Sequence, residues 1–227
     1  MTLPIGDVDG RPRGAASPRR LWRGALVGVL VALAVATTTG AFLMTRMPSG
    51  VAVDLNGNAV APDAEDGELS PWQREQQQAE SSGHGRFRVP AVDLDVPLGA
   101  LSEVDGVVTP PGFASVYWVR NRGAAPSASE DGTTFVVTHS LRGGAVGPGN
   151  YLIDVDAGRS ALPTGTEVIV DDQHYRVSGS HAVRKDSLAA ATDVWADVPG
   201  RLVIITCLQV PAGTPSTENI VIFARHE

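Results

Sequence analysis

The one cysteine of this chain, Cys207, closes the run Leu202-Val203-Ile204-Ile205-Thr206-Cys207, and His139 closes a similar run, Thr133-Thr134-Phe135-Val136-Val137-Thr138-His139. A thiol and an imidazole at strand ends are held rigidly by a sheet yet open at its edge, as a nucleophile and its proton carrier must be. The chemistry such a pair performs is acyl transfer. A thiol with an ordinary pKa of about 8.5 beside an imidazole of about 6.5 is mostly neutral at pH 7. It is intrinsically nucleophilic, and a minor thiolate fraction suffices. As imidazolium, His139 would favour the Cys207 thiolate and protonate a departing amine; as a neutral base it would then take a proton from an incoming one. The thioester divides one hard transfer into two easier ones. The bland alternatives are a small buried hydrophobe for Cys207 and a surface hydrogen bond for His139. Among the five histidines, His84, His139, His174, His181 and His226, there is no His-Glu-x-x-His or similar ligand spacing. No Cys-x-x-Cys pair exists, so neither a metal nor another cofactor is expected.

The elements that must position these two residues are strands. From Arg86 to Glu227 the chain is short apolar or alternating runs divided by Gly, Pro, Asp and Asn, the punctuation of β structure. The pattern predicts strands near Arg86–Val89, Val92–Val96, Val116–Val119, Thr133–Thr138, Tyr151–Asp154, Glu167–Val170, His174–Ala182, Leu202–Thr206 and Ile220–Ala224. Asp171-Asp172-Gln173 is the tightest hairpin turn. Ser187-Leu188-Ala189-Ala190-Ala191 is read as one or two helical turns before the cysteine strand, and no long amphipathic helix competes. Many short strands in one core-sized domain predict a mostly β fold with a closed or nearly closed barrel.

The N-terminal third is different. Residues 24–44 carry no charge and are long enough to cross a bilayer, which takes about 20 helical residues. Arg11, Arg13, Arg19, Arg20 and Arg23 precede this stretch, and only Arg46 and then Arg74 follow it closely. The positive-inside rule therefore predicts a single-pass membrane protein with residues 1–23 cytoplasmic and the domain outside. The alternative is a cleaved signal peptide, with Ala34-Val35-Ala36 as the small-residue site. Residues 45–85, acidic and rich in Gly, Pro, Ser and Gln, read as a flexible linker of about 35 Å root-mean-square span. Ser70-Pro71 would cap a helix there, but with Trp72 as its only large apolar residue a stable helix is not expected. An exported chain with one cysteine has no internal disulfide. With net charge −7 and a pI near 5.2, a nucleic-acid partner is not expected.

About 140 residues, from Arg86 onward, resemble the sortases, particularly the actinobacterial class E and F types. The likeness rests on Val89-Pro90, Thr109-Pro110-Pro111 before an aromatic-bearing strand, Thr138-His139-Ser140, and Leu162-Pro163-x-Gly165-Thr166-Glu167-Val168. It continues through Lys185-Asp186-x-Leu188, Ile205-Thr206-Cys207 and Asn219-Ile220-Val221-Ile222. The resemblance implies an eight-stranded β-barrel with short helical connections and a cysteine transpeptidase with Cys207 and His139 as its catalytic pair. It implies cleavage of a Leu-Pro-x-Thr-Gly sorting signal between Thr and Gly, and transfer of the acyl group to an amine on a cell-wall precursor or pilin. The same barrel in which water resolves the thioester would be a hydrolytic thiol protease, and one without activity a binding scaffold.

The resemblance also implies an arginine near the start of the strand after Cys207, to hold substrate and stabilise the oxyanion. The matching positions here read Ser216-Thr217-Glu218-Asn219. Arg225 is about 25 Å of extended chain away from the start of that strand. The substitutes are Arg142, three residues beyond His139; Arg184, before the cysteine strand; and the neutral donors Thr217 and Asn219, which share one strand face. Leu162-Pro163-Thr164-Gly165 looks like a sorting signal but lacks the residue between Pro and Thr, and reads as a turn.

Overall fold

The computed structural model describes residues 52–60 and 69–227, all within one compact unit, Val51–Glu227. The predicted membrane span at residues 24–44 lies outside the described residues. Among those described, no helix is long and apolar enough to cross a membrane.

Eight strands close a barrel in the order β1 (Arg86–Val89), β2 (Leu94–Leu101), β3 (Val116–Gly123), β4 (Thr133–Val137), β9 (Arg201–Cys207), β10 (Glu218–His226), β8 (Gln173–Arg184) and β7 (Glu167–Val170). A two-stranded hairpin of β5 (Ile153–Asp154) and β6 (Arg159–Ser160) stands apart from it. The β2–β3 and β4–β9 pairs are parallel; the other barrel pairs are antiparallel. Closure leaves the barrel no unpaired edge. The Asp171-Asp172 turn joins β7 to β8 with Asp171 left-handed at φ 57°. Of the strand predicted at Val92–Val96, Val92 instead ends a 3₁₀ turn over Pro90–Val92, and β2 starts only at Leu94. Proline supplies the turn's fixed φ, and Asp93 leaves it in the left-handed region at φ 52°.

Every barrel strand contributes to one interior cluster, including Phe87, Leu98, Val116, Val136, Val170, Tyr175, Ile204 and Ile222. A second cluster forms outside the wall on β2, β3, β4, β9 and β10, where Phe135, Val137, Val203, Ile205 and Val221 are covered by Val194, Leu188 and Trp195. All of β4, and all of β9 except Cys207, is buried. Strands buried on both faces read as continuous apolar runs, which is why these two stand out in the sequence. Burying one Val, Leu or Ile side chain contributes about 1.5–3 kcal/mol, so this doubly covered wall is the firmest place in the molecule to hang a side chain.

The stretch expected to be a flexible linker is ordered where it is described. Ser70 begins a helix at Pro71–Gln77, accepting from the Gln73 N–H while the Gln73 side chain accepts from the Ser70 N–H, a capping box. The helix was not expected to hold on apolar burial alone. It holds because Gln77 is 1% exposed and hydrogen-bonded, and because Glu80 pairs with Ala100 at the edge of β2. Upstream, a turn bridged at Val53 and Ala59 docks on the barrel loops, with Leu55 N–H donating to the Val146 carbonyl at 2.8 Å. Asp54, 3% exposed, accepts from the N–H groups of Asn56, Asn58 and Val146 at 2.8–3.1 Å. Burial pushes the Asp54 carboxyl's pKa up, but these bonds and the Asn58 side chain outweigh it and leave it below the ordinary value.

Candidate active site

The β4–β9 register decides where the two sequence candidates, Cys207 and His139, sit. It pairs Thr133 with Arg201 and runs in step to Val137 with Ile205, and the Thr138 N–H continues it onto the Ile205 carbonyl at 3.1 Å. Carried one residue further, past the end of β4, the same step brings His139 level with Cys207. Alternation sets the face: Val136 and Ile204 point into the barrel while Val137 and Ile205 belong to the outer cluster. His139 and Cys207 therefore both emerge on the outer side. On the other flank of Cys207, the antiparallel register places Asn219 directly opposite it.

These three residues line one cavity of about 470 Å³. Val107, Val108, Ile205 and Leu188 make its apolar walls, and among the described residues Lys185 is its one lysine or arginine. Leu69 and Gln73, from the N-terminal stretch, close one side. The volume and mixed lining are those of a site for part of a peptide.

His139 is 5% exposed and its Nε2 lies 2.9 Å from the Pro110 carbonyl oxygen. A carbonyl only accepts, so Nε2 carries the proton and donates. The neutral ring is then the Nε2–H tautomer, with its lone pair on Nδ1. Phe113 packs against the ring at 4.9 Å between centroids. The strand ends are tied behind the side chains. Ser140 Oγ donates to the Cys207 carbonyl at 2.5 Å, and Gln209 Nε2 donates to the Ser140 carbonyl at 2.8 Å. The Gly149 N–H donates to the His139 carbonyl at 2.8 Å. Gly149 is glycine because of this approach: a Cβ there would sit 2.0 Å from Thr206 Oγ1.

The other sequence candidates fall elsewhere. Thr217 is exposed, and its carbonyl accepts from the Lys185 N–H at 2.9 Å. Arg184 is 70% exposed and grips Asp186 through Nε at 3.1 Å and through its terminal nitrogen. That grip, with the Ser187 hydroxyl, holds the Asp186 carboxyl down to about 2. Arg142 sits in the loop that Asn150 shapes, where Asn150 Oδ1 accepts from the Leu141 and Gly147 N–H groups. Neither arginine nor Thr217 is among the cavity's lining residues. Arg225 pairs with Arg201, at the end of β9 remote from Cys207. Sequence reasoning gave no site role to Lys185, the Pro110 carbonyl, Gln209 or the N-terminal wall. Lys185 and Pro110 stand in stretches that carry the resemblance, and the wall has a local signal in the Ser70-x-x-Gln73 capping pattern.

No family model matches the chain, and no curated protein matches it. Among solved structures, it is similar to sortase A of Listeria monocytogenes, at 17% identity and a TM-score of 0.45 over 65% of this chain and 88% of that one. It is similar to sortase C-1 of Actinomyces oris, at 14% identity and a TM-score of 0.47 over 86% and 98%. A pilus-related sortase C of Group B Streptococcus is 15% identical, with a TM-score of 0.45 over 70% and 73%.

Proposed function

We propose that this protein is a sortase-type cysteine transpeptidase, of the actinobacterial class E or F kind, that acts on Leu-Pro-x-Thr-Gly-like sorting signals. The observation that carries this reading is the β4–β9 register, which leads a thiol and an imidazole to the rim of one cavity beside a neutral amide. The Cys207 thiolate attacks the Thr carbonyl carbon and forms a C–S bond, and the oxygen becomes an oxyanion. Asn219 donates its amide N–H to that oxyanion, the task the resemblance implies for an arginine. The C–N bond to Gly then breaks as His139 protonates the leaving amine, which leaves a thioester. An acceptor amine on a cell-wall precursor or pilin attacks the thioester, His139 takes its proton, and Cys207 departs as thiolate. The charge-free stretch at residues 24–44 supports an anchor that keeps the domain at the outer membrane face.

The test is mass spectrometry of the purified domain with a Leu-Pro-x-Thr-Gly peptide, with and without an amine acceptor. The expected result is an acyl adduct on Cys207 that the amine discharges as a new amide. Discharge to the free acid alone in the presence of every amine would make the protein a hydrolase. Absence of any adduct with a panel of sorting peptides would end the enzyme reading.

A further inference from the structure

We propose that Gln77, in the N-terminal helix, is a positioning residue for His139. It fixes the Thr109–Pro110 backbone, whose carbonyl holds the imidazole in its Nε2–H tautomer and leaves Nδ1 to exchange protons at Cys207. The proposal rests on the reading of Cys207 and His139 as an acyl-transfer pair. Gln77 Nε2 donates to the Thr109 carbonyl at 2.7 Å, and one peptide further the Pro110 carbonyl accepts from His139 Nε2 at 2.9 Å. The Gln77 main-chain carbonyl in turn accepts from the Ser102 N–H at 2.8 Å, so the residue, 1% exposed, is held through both its backbone and its side-chain amide.

The segment needs such a clamp because of its composition. Pro110 and Pro111 carry no N–H, so neither can anchor the loop by donating a backbone hydrogen bond. The carbonyls of Thr109 and Pro110 accept from side chains instead: Gln77 on one and His139 on the other. Proline also fixes φ and restricts the residue before it, which makes the Thr109–Pro111 stretch stiff. A displacement at the Thr109 carbonyl therefore carries to the Pro110 carbonyl. The Pro71–Gln77 helix is more than a tether: through its last residue it sets which imidazole nitrogen of His139 carries the proton.

The test is nitrogen-15 NMR of the histidine-labelled full-length protein above the imidazole titration, with the His139 signal assigned by its loss in His139→Ala. Wild type is expected to show a single Nε2–H tautomer. Gln77→Met keeps the volume but removes the donor, and is expected to show mixed tautomers with kcat for acylation lowered about 10–100-fold and KM changed far less. Gln77→Leu also lacks the donor, with a different side-chain shape, and is expected to shift the tautomer in the same direction, which covers the case of one variant folding poorly. A wild type in the Nδ1–H form, or a folded Gln77→Met with the wild-type tautomer and kcat, overturns the proposal. If wild type forms no acyl adduct, the transpeptidase reading fails, while the tautomer comparison still decides the link from Gln77 to His139.

Discussion

Replacing Asn219 tests how this site manages without an arginine. Its Cα is the register partner of Cys207, one strand spacing of about 4.8 Å away, and its side chain is 8% exposed on the cavity wall. Asn219→Ala removes one amide donor and leaves the β9–β10 ladder intact, because that ladder is backbone. A tetrahedral intermediate carries a full negative charge, and losing one oxyanion donor costs about 10²–10³ in kcat, or about 2.7–4 kcal/mol. The acylation rate of Cys207, followed by rapid-quench mass spectrometry under single turnover, is therefore expected to fall by about that factor. Asn219→Asp is nearly isosteric and puts a carboxylate where a donor stood, so its loss should be larger. Arg142→Ala and Arg184→Ala are the controls, and each should stay within about threefold of wild type, since neither lines the cavity. An Asn219→Ala enzyme within threefold of wild type, with either arginine variant reduced a hundredfold, would refute the reasoning and move the oxyanion donor to the loops.

Cys207→Ala should abolish both peptide cleavage and adduct formation with little change in thermal midpoint, because the thiol is half-buried at a strand end. His139→Ala should lose acyl transfer by a large factor and flatten the pH–rate profile near neutrality, read by initial rates from pH 5 to 9. Gly149→Ala should cost about 1–3 kcal/mol by overpacking, visible as a thermal midpoint lower by several degrees, and should slow acylation by pushing on the His139 carbonyl. The Asp54 carboxyl has a folded pKa below its unfolded value. Its contribution is thus fully present above the unfolded value of about 3.9 and lost as pH falls through the lower folded one. Hydrogen exchange at the Val146 amide should accelerate in Asp54→Ala at neutral pH relative to wild type, and the difference should close in acid.

How much of this was legible follows from what each feature depends on. The runs ending at His139 and Cys207 are local signals: both strands are buried on two faces, so their side chains are apolar or β-branched nearly throughout. That the two runs lie side by side, parallel and in step is a non-local fact that neither segment encodes alone. The oxyanion question divides the same way. Period-2 alternation put Thr217 and Asn219 on one face, but only the pairing with Cys207 separates them, one exposed and one on the cavity wall. Proximity in sequence favoured Arg142 and Arg184, while Asn150 and Asp186 respectively shape the first one's loop and engage the second. The N-terminal helix shows its capping box in sequence, yet its permanence comes from Gln77 meeting Thr109 across the fold. Backbone carbonyls such as that of Pro110 have no sequence signal at all.

The barrel explains why the proposed chemistry belongs on its outer wall. The interior is filled by apolar side chains from all eight strands, and interiors pack at crystal-like density with no room for a peptide. Thr138 and Thr206 take the inward positions, and the reactive pair takes the outward ones. A one-residue slip of β9 against β4 would reverse that, because the side-chain period is two: the thiol would enter the interior and the imidazole would keep its place. The register must therefore be held at the end where the reaction occurs. There the Ser140 hydroxyl bonds the Cys207 carbonyl, Gln209 bonds Ser140, and Gly149 bonds the His139 carbonyl. Each of these acceptors is a backbone carbonyl at or next to His139 or Cys207, so the bonds fix the two strand ends through the main chain. The proposed function depends on the offset between two parallel strands, and Ser140 and Gln209, just past those strands, tie their ends together.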